Sequence, residues 1–427
     1  MRDKSITVPL ATDLRASTRS ILERRSRRSC RVLVTGGTGF IGSHVAVELL
    51  RRGYSVVLLA RRKGPLSAAE RVARLLDWFD LAEGDRSRLK VLEGSLDTPD
   101  LGLGRDEYAG LAGTTEEIVH CASNTSFSDR KRSEVEKANV ENLGHLLDLA
   151  AQSPCYFFHH VSTAYVAGKT SGICPEELVR PDEFTNVYEE TKCRAEANTA
   201  AACARAGIRL SIYRPSVIYG DSETGRTLLF NGLYYPVRTV AFLKDLFEKD
   251  LTERGGGRAV EMGVRRESDG RLYLPLRVEA DGRGGVNLIP IDYFVRAFTA
   301  IFEDGLDGGI FHVTNVEPTG LAQLAEFTER FFSVDGISPA PAGDFASRPR
   351  NGLEILFDQY VQAYRPYMND TRRFDAGNAD AILRRRGVER PEFDYGVFSR
   401  CMKFAEDVEW GARLFERTGG QRAGGRK

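Results

Sequence analysis

Apolar runs short enough for strands recur through the first half of the chain, at 32–35, 55–60, 89–92, 117–121, 155–162 and 209–214. Most of the intervals between them carry apolar positions every three or four residues, the period of a helix seated on a sheet. Such alternation implies parallel strands joined by right-handed crossovers. The expected fold is therefore α/β, a doubly wound parallel sheet with ligands at the carboxyl ends of its strands. After residue 220 the pattern changes. An aromatic stretch at 228–236, L-L-F-N-G-L-Y-Y-P, gives way to the glycines 255–257 and a run at 271–276. These aromatics either line an apolar substrate channel or pack between two lobes. Beyond a late strand at 310–313, helical periodicity at 321–332 and 376–386 closes the second lobe. The expected organisation is a basic, flexible leader over 1–30 and a sheet domain over 31–220. A smaller C-terminal substrate lobe spans 221–418, with 287–314 returning to the sheet domain, and 419–427 form a disordered tail.

The first strand runs into Thr35-Gly36-Gly37-Thr38-Gly39-Phe40-Ile41-Gly42, and a helix-like stretch follows. Glycines at this spacing let the chain turn tightly, approach a pyrophosphate and pack the helix on its strand, with the helix N-terminus facing the phosphates. Gly36, Thr38, Gly39, Phe40, Ile41 and Gly42 are thus expected around a dinucleotide, which makes the sheet domain a Rossmann domain. At the end of the second strand, where a carboxylate would hold a ribose 2′-hydroxyl, the chain carries Arg61, Arg62 and Lys63. Cations there suit a 2′-phosphate, so NADPH (NADP+) is the expected cofactor; a solvated basic turn is the plainer alternative.

Composition narrows the partners. Lys+Arg and Asp+Glu balance at 60 each in 427 residues, so no overall field draws the chain to nucleic acid. Seven cysteines without C-x-x-C or other metal-ligand spacing point to a reduced, cytoplasmic setting with no metal. No run approaches the roughly 18 apolar residues of a membrane span. The leader, with Arg24-Arg25-Ser26-Arg27-Arg28, reads either as a mobile arm or, through Ile6, Val8, Leu10, Leu14, Ile21 and Leu22, as an amphipathic docking arm or an anchor making peripheral membrane contact.

Tyr188 and Lys192 sit four apart in a helical stretch, so phenol and ammonium share one face. A cation about 4 Å from a phenol is worth up to ~4 kcal/mol at an effective dielectric near 20, enough to lower its proton affinity. The expected role is a proton donor to a carbonyl. At the end of the fifth strand, His160-Val161-Ser162-Thr163-Ala164-Tyr165 places hydroxyls where the sheet opens. Thr163 can steady charge on a substrate oxygen, with Ser162 as the competing candidate. His159, His160, Cys121 and Cys193 read as packing residues around this site, and Tyr165 as a wall of the pocket.

From residue 31 to 314 these motifs resemble, in kind and order, the extended short-chain dehydrogenase/reductase superfamily. The resemblance implies Thr163, Tyr188 and Lys192 as the catalytic group, Thr163 by counting back five from Gly168, and Lys192 as the residue on the nicotinamide ribose. Arg214-Pro215-Ser216-Val217-Ile218-Tyr219-Gly220 is similar to the superfamily's segment beside the nicotinamide, implying cofactor contacts at Pro215, Ser216 and Val217. A narrower likeness is to fatty acyl-CoA reductases of the male-sterility type and to thioester reductase domains. It rests on Glu93–Leu103, on His120-Cys121-Ala122-Ser123-Asn124-Thr125-Ser126-Phe127, on His160–Tyr165 and on Asn287–Tyr293. It implies further cofactor contacts at Ser95, Leu96, Cys121, Ala122 and Ser123, although Ser95 replaces the usual acidic residue and Ser123 an alanine. The stretch between Gly220 and Val286 matches no pattern of the family.

The function implied is NADPH-dependent reduction of an acyl thioester to aldehyde or alcohol. No adenylation or carrier segment is recognised ahead of the first strand, so the acyl group is expected on free coenzyme A or a separate acyl-carrier protein. Two alternatives stand beside it. One is a dehydrogenase or epimerase of a nucleotide sugar, steroid or other secondary alcohol; the other is an NADP(H)-sensing protein without turnover.

Overall fold

The computed structural model describes residues 14–26, 28–280 and 282–415. The first thirteen residues of the expected leader and the expected tail at 419–427 lie outside the described residues. The sheet strands are β1 (Arg31–Thr35), β2 (Ser55–Ala60), β3 (Leu89–Glu93), β4 (Glu117–His120), β5 (Phe157–Val161), β6 (Arg209–Pro215) and β7 (Gly309–Val313). They form one parallel seven-stranded sheet in the order β7-β6-β5-β4-β1-β2-β3. Continuous apolar runs such as Val32-Leu33-Val34 suit strands covered on both faces, and these three side chains are fully buried. The strand order reverses between β1 and β4, and the crevice there is where an open α/β sheet binds its ligand.

The leader is not wholly a mobile arm. Residues Thr18–Ser26 form helix α1, which docks under the sheet. Arg25 is 3% exposed and donates twice to the Glu117 carboxylate, at 3.0 and 2.9 Å. Its guanidinium lies between the rings of Phe157 and Phe302, 4.8 and 4.5 Å from their centroids. Burial pushes the Glu117 carboxyl up, but Arg25 and His159 outweigh it and hold the group at about 2. Arg24 pairs with Glu116, and Arg28 with Glu303 at 3.2 Å. Arg24, Arg25 and Arg28 are thus each paired with a carboxylate of the sheet domain, Arg25 in its interior. Among the described residues no helix is long and apolar enough to cross a membrane.

Three further helices matter for the site: α2 (Phe40–Arg51), α3 (Ala68–Trp78) and α4 (Val187–Ala206). The second lobe is built on strands Leu272–Glu279 and Val334–Ala340, paired in parallel, with helices Tyr234–Glu253, Leu321–Phe332, Gly352–Val361 and Tyr395–Asp407 around them. Their apolar faces make a core separate from the sheet's, containing Leu243, Leu274, Leu276, Phe398 and Met402. Strands Val217–Tyr219 and Leu288–Pro290 pair in parallel where the chain passes between the lobes. After them, helix Ile291–Asp304 and β7 pack back on the sheet domain.

Candidate active site

The glycine turn joins β1 to α2 at the point of strand reversal. Gly36 has φ +73°, and a Cβ on it would stand 2.5 Å from the Ala122 backbone nitrogen in the loop after β4. A Cβ on Gly42 would stand 2.3 Å from the Gly36 carbonyl oxygen. Both positions demand glycine, one by conformation and both by close approach. Helix α2 begins at Gly39 with no side-chain cap, which leaves its first amide N–H groups for a phosphate. Phe40 and Ile41 open this helix, and Cys121 donates its backbone N–H to Thr35, holding the two loops side by side. These features fit a dinucleotide.

The basic residues after β2 are placed differently from expectation. Arg61 and Arg62 are exposed and engaged, Arg61 with Asp97 at 3.0 Å and Arg62 with Glu93 at 3.0 Å. Arg71 on α3 reaches over the turn instead. It donates to the Thr38 hydroxyl at 3.0 Å and to the Arg61 carbonyl, and no carboxylate among the described residues pairs with it. Partial burial and the Arg61 charge lower its pKa. Arg71 is ten residues beyond Arg61 in sequence, and only the helix brings it back to the glycine turn. On the adenine side, Ser95 donates its backbone N–H to Leu101 at 2.7 Å, and the Leu96 carbonyl lies 2.8 Å from His145 Nδ1.

Thr163 stands at the mouth of β5 and Tyr188 in the first turn of α4, capped by Asn186 through Glu189 N–H at 3.1 Å. Both side chains line one cavity, and the Thr163 hydroxyl acts on the phenol electrostatically. Burial pushes the phenol up to about 12; the Thr163 contact opposes this and the Glu189 charge adds to it. Lys192 does lie one turn along, but its ammonium donates to the Val161 carbonyl at 2.7 Å and stands 3.4 Å from His160 Nε2. Burial lowers the amine to about 8, against the charges of Glu196 and Cys121. The expected lowering of the phenol is therefore absent here. Shared helix face sets where the side chain starts, and the buried amine turns toward the nearest acceptor. His160, expected as a packing residue, in turn meets Thr199 at 3.2 Å, and His120 meets Thr35 at 2.8 Å; burial lowers the pKa of both imidazoles, and the Lys192 charge adds to it.

Two groups of residues escaped the sequence reading. Asn139 lies in a π-helical turn, Lys137–Glu141, and binds the loop after β4 through Asn124 N–H at 2.7 Å, the Asn124 carbonyl at 3.0 Å and the Ser123 hydroxyl at 3.1 Å. It also donates to Thr191 at 3.1 Å, tying that loop to α4. A buried asparagine in an otherwise helical stretch was the available signal. The second group comes from far along the chain: Tyr367 donates to Glu189 at 2.7 Å and accepts from Asn186 at 2.7 Å. Its ring faces Phe127, which also packs against Tyr188, with centroids 5.4 and 5.8 Å away.

Thr163, Tyr188, Ser216 and Val217 open into a cavity of about 1200 Å³. Ser162, the competing hydroxyl, is buried without a partner and does not line it. Near Tyr188 the wall is the loop Asn124–Arg130; farther in it is apolar, with Val240, Val278, Leu324, Ile337 and Phe357. Pro215 receives the Thr163 hydroxyl at 3.4 Å, so the segment after β6 backs the same group. Among the described residues no cluster of histidine, cysteine and carboxylate side chains is arranged for a metal ion. A phenol and a hydroxyl that line a largely apolar cavity beside a dinucleotide crevice are groups that hydride chemistry on a carbonyl can use.

Known proteins share this arrangement of fold. A linear gramicidin synthase chain of Brevibacillus parabrevis is 30% identical over 390 residues, 87% of this chain and 7% of that protein. The chain spans 15% or less of the length of this and of another such curated relative. The terminal R domain of the myxalamid PKS-NRPS pathway superposes with a TM-score of 0.67 at 22% identity, covering 89% of this chain and 91% of that one. UDP-glucuronic acid 4-epimerase of Bacillus cereus, solved with NAD, superposes with a TM-score of 0.60 at 16% identity, covering 90% and 100%. Residues 34–298 match the family described as male sterility protein, whose domain is NAD-binding. With more than half of its length so matched, and the sheet of an extended short-chain dehydrogenase/reductase around a nicotinamide-cofactor crevice, the chain belongs to the male sterility protein family.

Proposed function

We propose that this protein is an NADPH-dependent reductase that converts an acyl thioester, borne on coenzyme A or on a carrier protein, into an aldehyde or onward to the alcohol. The observation that carries the reading is that Thr163 and Tyr188 line the same largely apolar cavity beside the glycine turn's crevice. A sugar diphosphate calls for several cations, and Arg130 is the one cationic side chain in the cavity wall among the described residues. An acyl chain calls for none. Arg71, held over the glycine turn without a carboxylate partner, supports a 2′-phosphate and hence NADPH.

Bound NADPH supplies the hydride to the carbonyl carbon. Thr163 holds the carbonyl oxygen, and Tyr188 gives it a proton as negative charge develops there. A phenol held at about 12 keeps its proton at neutral pH, which suits a donor in the reductive direction. The adduct's hydroxyl then returns its proton to the Tyr188 phenolate as the carbonyl re-forms, the carbon–sulfur bond breaks, and the departing thiolate takes a proton from water. The same residues serve a second round on the aldehyde. Lys192, charged below about 8, places a positive charge behind the helix turn that carries the phenol.

The test is a series of acyl thioesters with NADPH or NADH, following reduced-nicotinamide absorbance together with free thiol. Thiol release matched to NADPH oxidation is expected, with NADH the poorer donor. Oxidation of alcohols or sugar nucleotides without turnover of any thioester would overturn the reading.

A further inference from the structure

The loop after β4 supplies the cavity wall without a break from Asn124 to Arg130, and then leaves the site through Lys131. Its inner end is fixed, because Asn139 binds Asn124 and the Phe127 ring packs beside Tyr188. Its outer end is charged. Arg130 and Lys131 are both exposed, and among the described residues neither has a carboxylate partner. Arg132, one residue on, is the opposite: it pairs with Glu190 at 2.7 Å and with Asp129 at 3.0 Å. The neighbouring carboxylates are thus taken by Arg132, and two free cations stand at the rim. Arg130 is three positions beyond Phe127, a reach of at most about 11 Å of backbone. Arg130 therefore stands on the same cavity wall as Tyr188, with Lys131 next to it in sequence, and the other side chains of that loop in the wall include Asn124, Ser126, Ser128 and Asp129, the last paired with Arg132.

Resting on the thioester reading above, we propose that Arg130 and Lys131 bind the phosphate at the head of a pantetheine arm, while its thioester end lies at Tyr188. Both coenzyme A and a loaded carrier protein present that phosphate. The polar loop faces the amide-rich arm, the apolar depth of the cavity faces the acyl chain, and the two cations take the charge at the entrance. A guanidinium and an ammonium side by side suit a phosphate monoanion or dianion on an exposed rim.

The test separates binding from turnover. Free phosphopantetheine and pantetheine are titrated by calorimetry against the wild-type chain and the double variant Arg130→Gln, Lys131→Gln, each with NADP+. The wild type is expected to favour phosphopantetheine at least about tenfold, the scale of one charge-assisted hydrogen bond, and the variant to show no preference. With substrates, the variant raises KM for an acyl-coenzyme A and for an acyl-phosphopantetheinyl serine peptide. It leaves the acyl-N-acetylcysteamine thioester and kcat unchanged. A KM effect confined to coenzyme A would point to the nucleotide's other phosphates and overturn the assignment, as would a phosphate preference that survives in the variant or is missing in the wild type. If phosphate-dependent binding holds but no thioester turns over, the rim site stands and the reaction assigned above falls.

Discussion

In the sheet domain, the residues facing the reaction lie within a few positions of a strand end: Gly36 after β1, Cys121 after β4, Thr163 after β5, Ser216 after β6. In the second lobe, the residues facing the same cavity come from five separate elements, as Val240, Val278, Leu324, Ile337 and Phe357 do. The difference follows from geometry. A doubly wound sheet delivers its ligand-binding loops at one edge, so its chemistry is written in short local motifs. A cavity lined by helices and strands of a separate core is assembled only when those elements pack, and no short motif marks it.

The sharpest way to break this contrast is at Tyr188. Tyr188→Phe is expected to lower kcat by about 10²–10⁴ while NADPH affinity, read by fluorescence, stays unchanged. Equal loss of cofactor binding would move the residue from chemistry to architecture. Next comes the leader helix, whose buried tie to the sheet domain includes the Arg25–Glu117 pair. Arg25→Ala takes from the buried Glu117 its cationic partner, leaving Tyr156 and His159, and should cost about 3–5 kcal/mol in urea unfolding; a change under about 1 kcal/mol would show that the pair is dispensable. In the second lobe, Ala325→Trp projects bulk into the cavity wall and should raise KM at least about tenfold for long acyl thioesters while sparing short ones. Equal effects on both lengths would mean that the acyl chain lies elsewhere.

Two smaller effects bear on the cofactor side. Arg71→Ala is expected to weaken NADPH about tenfold and leave NADH unaffected, measured by the ratio of their kcat/KM values. The last concerns Lys192, whose amine burial lowers to about 8. Its charge is present below about pH 8 and is lost as pH rises, so kcat/KM should fall above that point. Stability moves the other way: above about pH 8 the unfolded chain still binds a proton that the native amine has released, so burying it costs less as pH rises toward the ordinary lysine value. A kcat/KM profile flat to about pH 10, near the ordinary lysine value, would remove the ammonium from catalysis.

Much of the site was legible from local pattern. The strand runs, the glycine turn and the spacing of Tyr188 and Lys192 all appear in the structure where periodicity puts them, and helix Leu321–Phe332 has the expected bounds. Other features were not. Arg71 reads as an ordinary polar position of an amphipathic helix, and its approach to Thr38 depends on how α3 returns along the sheet. Asn139 gains its role from a π-helical turn. The basic leader looked unpartnered because its carboxylate, Glu117, lies 92 residues away.

By itself the sequence determined the sheet, the crevice at its strand ends and the phenol, hydroxyl and amine gathered there, since each follows from backbone period or from contacts a few residues apart. Tertiary structure alone decided where the Lys192 amine points, which arginine overhangs the glycine turn, and how the second lobe hollows a cavity in front of Tyr188. Those outcomes depend on burial and on acceptors from distant segments. A side chain's partner is settled by the packing of whole elements, which residue spacing along one element does not specify.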